Sequence, residues 1–101
     1  MSHAQLMKHV FIRCPNNWAL IQQYDRQWNE LEELIQNDQS AIAKGRTMRH
    51  AYADAGQYKD ADAMHKEVLE KNARISHMLQ EQIDIDNQLH QMVFQPEQIT
   101  V

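Results

Sequence analysis

Residues 57–95 read QYKDADAMHKEVLEKNARISHMLQEQIDIDNQLHQMVFQ, with neither glycine nor proline anywhere in the run. On a 3.6-residue wheel, Ala61, Met64, Val68, Ile75, Leu79, Leu89 and Val93 fall within one narrow arc. That pattern predicts a long amphipathic helix over 60–93, stopped ahead of Pro96. At about 1.5 Å per residue it would run about 50 Å. A helix of that length in a chain of 101 residues cannot cover its own apolar stripe. It needs a second helix of the same chain, a second copy or a client.

Working back from this stretch, Ala55-Gly56-Gln57 is the natural break, because glycine is favoured just past a helix C-terminus. Asp60 reads as the N-cap of the long helix, with Asp62 adding a favourable charge in its first turn. Upstream, Ile21, Tyr24, Trp28, Leu31, Ile35 and Ile42 recur at steps of three, four, three, four and seven, close to a heptad seam. Asp38 occupies the vacant seam position. A helical region over 17–54 is therefore expected, either continuous or broken near Asp25 or Gly45. Residues 3–13 predict a short N-terminal helix, halted by Cys14-Pro15-Asn16-Asn17 because the residue before proline avoids the α region. Residues 94–101 read as a tail. The expected fold is all-α: an antiparallel helical hairpin or small bundle of two long helices plus a short N-terminal helix, in one domain over 1–101.

Composition agrees with this. A 43% hydrophobic content supports a small core, and 2 glycines with 2 prolines leave too few turns for an all-β fold. The single Cys14 cannot form an intrachain disulfide, which points to the cytoplasm. No apolar run reaches membrane-spanning length and no signal-peptide pattern opens the chain, so no membrane insertion is expected. Net charge is −4, with the first half about neutral and the second half at −5. Beyond Arg74 there is no lysine or arginine. Direct nucleic-acid binding is thereby disfavoured, and a basic or neutral protein partner suits the surface better.

The chemistry-bearing residues do not assemble into a catalytic pattern. Ser2, Ser40 and Ser76 are the only serines, none in a nucleophile elbow, and no glycine-rich phosphate loop is present. Asp62/His65 and Asp86/His90 have helix-face spacing, but without a His-Glu-x-x-His motif or a cysteine cluster they read as solvent-facing histidines. No enzyme, cofactor or metal is expected. Asn72, Gln82 and Asp86 interrupt the long helix's stripe; they either fix a register or lie at its wet edge. Met64, Met78 and Met92, with Met7, are either core or a surface that adapts to varied helical clients. The Tyr-x3-Gly-x-Tyr-x2-Ala spacing of Tyr52, Gly56, Tyr58 and Ala61 resembles the corner of a tetratricopeptide repeat; in one copy it reads as a helix–turn–helix corner.

Gln27-Trp28-Asn29-Glu30-Leu31 resembles the segment that opens the second helix of FliT-type flagellar export chaperones. Val68-Leu69-Glu70-Lys71-Asn72-Ala73-Arg74-Ile75-Ser76-His77-Met78-Leu79 resembles that family's long third helix. The resemblance implies a small cytoplasmic protein that holds the flagellar filament-cap protein before export and passes it to the export ATPase complex. It also implies contact with the flagellar transcription regulator in some members. The chain departs from the family at Pro15, where the first helix would normally continue, and in having only 94–101 where a further covering helix would follow. On this reading a client helix lies in an apolar groove. Ile75, Met78, Leu79, Ile83 and Leu89 supply contact area, Trp28 and Leu31 support them, and Asn72 and Asp86 set register. A homodimer is compatible with the exposed stripe. The alternative is a structural coiled-coil subunit or a regulatory adaptor of a larger complex.

Overall fold

A computed structural model describes residues 1–94. Its elements, in chain order, are helix α1 (His3–Arg13), a 3₁₀ turn (Pro15–Asn17), helix α2 (Trp18–Asp54) and helix α3 (Tyr58–Phe94). Among the described residues every regular element is helical, so the all-α expectation of two long packed helices plus a short N-terminal one is what the chain adopts. The tail expected over 94–101 falls, from residue 95 on, outside the described residues; Phe94 is the last residue of α3.

Local chemistry explains the boundaries. Ser2 opens α1 with a capping box: its Oγ accepts from Gln5 N–H at 3.2 Å, and its own N–H donates to Gln5 Oε1 at 3.0 Å. Pro15 stops α1, as read from the sequence, and begins the 3₁₀ turn. Helix α2 continues through both Asp25 and Gly45 without a break. At its far end Gly56 takes φ +78°, a left-handed conformation that suits glycine. Around it Gln57 N–H donates to the Tyr52 carbonyl at 2.8 Å and Gly56 N–H to that of Ala53 at 3.0 Å, the pattern of a Schellman cap. The chain turns so tightly that α3 begins at Tyr58, two residues before the expected start. Ala61 N–H already reaches the Gln57 carbonyl, which places Asp60 inside the first turn instead of at the N-cap.

By contacts, the chain forms two compact units. The first takes Met1–Leu31 together with α3 from Gln80 onward, and the second is Glu32–Leu79. In the first unit α1, the opening turns of α2 and the closing turns of α3 surround one core. Leu6, Met7, Val10, Cys14, Ile21, Ile85, Leu89, Met92 and Val93 are buried there, and Phe11, Tyr24, Trp28 and Leu31 pack against it. The second unit is a helical hairpin, with Ile35, Ile42, Ala61, Val68, Ile75 and Met78 buried.

Within each unit the buried positions step alternately by three and four residues. On α2 they are Ile35, Asp38, Ile42 and Gly45 in the second unit, and on α3 Gln82, Ile85, Leu89 and Met92 in the first. This is the 3.5-residue period of packed helix pairs, not the 3.6 of a straight wheel. The difference corrects the expected stripe. Leu79, which falls level with Ala61 on the straight wheel, is 44% exposed, while its neighbour Met78 is buried. Gly45 also proves to be a seam residue; its missing side chain lets α2 and α3 approach closely beside Val68.

Candidate functional site

In the first unit, α1 lies over the apolar residues at the end of α3. Its first helical residue is His3, whose side chain is only 8% exposed. Nδ1 lies 2.6 Å from Asp86 Oδ1 on α3, and Nε2 lies 2.9 Å from Asp25 Oδ1 on α2. The imidazole also stacks on the Trp28 indole, with ring centroids 4.1 Å apart and planes 4° from parallel. A neutral imidazole has one N–H and donates to one carboxylate; a doubly protonated ring donates to both. Through this ring α1 is tied to both long helices at once. Nearby, Gln82 Nε2 donates to the Trp28 carbonyl at 3.2 Å, satisfying a buried amide on the seam. The Trp28 indole N–H is buried without an acceptor. At the other end of α1, the Cys14 thiol donates to the Met92 carbonyl at 3.1 Å, so it is a packed core group.

In the second unit Asp38 fills the seam position read as vacant in the sequence. Arg74 clamps it through two bonds, Nε to Oδ2 at 2.7 Å and Nη2 to Oδ1 at 2.5 Å. The Arg74 hydrogen bonds hold the Asp38 carboxyl below its ordinary value, partly opposed by burial and assisted by the charges of Arg74 and Lys71. The same contact raises Arg74. This is the fork geometry for which arginine is suited. Leu34, Met48, Tyr58, Leu69 and Leu79 are this unit's exposed large apolar side chains.

The sequence-proposed contact residues therefore separate. Leu79 in the second unit and Ile83 in the first are exposed, Ile83 by 51%. Ile75 and Met78 in the second unit and Leu89 in the first lie in cores, where an open contact face was expected. Trp28 and Leu31 are half-buried against the first unit's core. Asn72 is on the exposed side of its helix, not on the stripe. Asp86 is engaged by His3, and Gln82, read as a possible wet edge, is buried. His3 corrects the expectation that the histidines face solvent. Met7, Met78 and Met92 are core residues.

The sequence reading passed over His3 and Ile85. Two signals were available. Ser2-x-x-Gln5 is a capping box that sets His3 at the start of α1, and a heptad count from Ala61 lands on Gln82 and Leu89, with Ile85 at the three-residue step between them. Both His3 ring nitrogens face carboxylates at hydrogen-bonding distance. Among the described residues no group of three or more His, Cys, Asp or Glu side chains is gathered to hold one. Nor, among them, is any helix long and apolar enough to cross a membrane. No family model, curated protein or solved structure matches this chain.

Proposed function

We propose that this chain is a cytoplasmic, non-catalytic export chaperone of the flagellar type. It binds a helical segment of a secretion client, a filament-cap-like protein, and hands it to the export ATPase complex; a flagellar transcription regulator is a second partner. The observation that carries the reading is apolar surface on an otherwise acidic helix. Leu69 is 54% exposed and Leu79 is exposed on α3 of the second unit, and Ile83 is exposed on α3 of the first. Single exposed leucines are ordinary. Leu79 and Ile83 each follow Arg74, after which the sequence has no lysine or arginine, so a client with a basic or neutral amphipathic helix is complementary to either. Ile75, Met78 and Leu89 hold the helices that present these residues.

The test is co-purification with a filament-cap protein and its isolated helical end. The wild-type chain captures both in a stoichiometric complex. Leu79→Asp stays helical, because Leu79 is outside the core, and loses capture. Capture undiminished by Leu79→Asp and by Ile83→Asp refutes the reading.

A further inference from the structure

The first unit contains a groove whose occupant is visible. Its walls are Ile85, Leu89, Met92 and Val93 from α3, and Ile21 with Trp28 from α2. Helix α1 fills it with Leu6, Met7 and Val10, and its His3 ring meets the carboxylates of Asp25 and Asp86 at one end. We propose that α1 is an exchangeable plug, and that this groove accepts a partner helix with a cationic side chain one turn ahead of an apolar patch. The inference rests on reading the chain as a binding protein and names the chemistry of its partner.

Three observations carry it. First, α1 has 11 residues, a length at which an isolated helix is marginal in water, so docking supplies much of its stability. It joins the rest of the unit through the turn at Pro15–Asn17, and the His3 side chain ties its start to Asp25 and Asp86. Second, the groove recognises charge at one end. The Asp25 and Asp86 side chains are 40% and 32% exposed, so an incoming group can reach them. Two carboxylates from different helices converge on one ring. A lysine or arginine placed there keeps a permanent charge and several donors, whereas histidine offers two ring nitrogens. Such a group adds charge-assisted bonds at this end of the groove, which offset part of the advantage α1 has from being tethered. Third, α1 supplies the template. His3, then Leu6 and Met7, then Val10 define a nitrogen-bearing ring that meets the carboxylates, followed at three, four and seven positions by apolar residues.

The experiment uses the full chain and three labelled peptides copied from residues 1–14: the natural sequence, His3→Arg and His3→Glu. Binding is read by fluorescence anisotropy, and release of the chain's own α1 by faster hydrogen exchange at its amides. The His3→Arg peptide binds and deprotects α1. The His3→Glu peptide binds at least about tenfold more weakly, because it brings a third carboxylate to the pair. In a chain carrying Asp25→Asn and Asp86→Asn, that difference disappears. Equal affinity of the two peptides for the unchanged chain overturns the proposal. So does the absence of any binding while α1 stays protected. If the double variant loses its helical signal, the two peptides on the unchanged chain decide alone. Peptide exchange without capture of a filament-cap protein rejects only the chaperone reading. Capture that leaves α1 protected, with no peptide preference, rejects only this one.

Discussion

Replacing Gly45 with alanine separates two opposed effects whose sizes follow from the structure. Gly45 lies in the interior of α2, where alanine is favoured over glycine by about 1 kcal/mol. A Cβ at this position would stand 3.0 Å from Val68 Cγ2, whereas relaxed carbon contacts lie near 3.5–4.0 Å. Val68 is buried and β-branched, so its χ1 cannot swing away and the two helices must part by a few tenths of an ångström. Overpacking of that kind costs about 1–3 kcal/mol. Taking the middle of that range, Gly45→Ala destabilises by about 1 kcal/mol. In a Val68→Ala background the obstructing methyl is gone, and Gly45→Ala stabilises by about 1 kcal/mol. The coupling is thus about 2 kcal/mol, within the span expected of touching residues. Urea unfolding of the four proteins, followed by helical circular dichroism, measures it. If Gly45→Ala stabilises equally in both backgrounds, α2 and α3 do not approach closely there and the seam assignment is wrong.

Other consequences are open to the same kind of measurement. Met78→Ala, at a buried position, should cost about 2–5 kcal/mol, while Leu79→Ala next to it should cost well under 1 kcal/mol; similar losses would contradict the observed face of α3. Leu89→Ala removes a fully buried side chain and should likewise cost about 2–5 kcal/mol, with loss of α1 amide protection following in hydrogen exchange. For Asp38 the folded state lowers the carboxyl's pKa, so its stabilising contribution is present above the ordinary carboxylate value near 3.8 and is lost as pH falls through the folded value. The urea midpoint of the wild type should therefore fall toward that of Asp38→Asn as pH drops below about 4, and a gap that stays constant into acid would exclude the Arg74 clamp as its source. Trp28→Phe removes a buried N–H that has no acceptor, so thermal unfolding should show a smaller loss than the lost ring area implies.

The sequence by itself determined that the chain is helical and that breaks fall at Pro15 and Gly56; that α2 runs unbroken through Asp25 and Gly45 was left to the fold. Pro15 denies α1 its continuation and Gly56 supplies a left-handed turn; both act through backbone sterics that need no distant partner. It also determined the seam of α2, because Ile21 to Ile42 already step by three and four. Tertiary structure decided which side of α3 is inside. A straight 3.6-residue wheel and a 3.5-residue packed seam drift apart by about 20° per heptad, so by Met78 and Leu79 the two readings choose different residues. It likewise decided the meaning of the polar positions. Asp38 is a seam residue because Arg74 stands 36 positions away, and His3 is a tie because Asp86 lies 83 positions along the chain. Sequence spacing on one helix carries no information about such partners, since only packing brings the two chain segments within hydrogen-bonding distance.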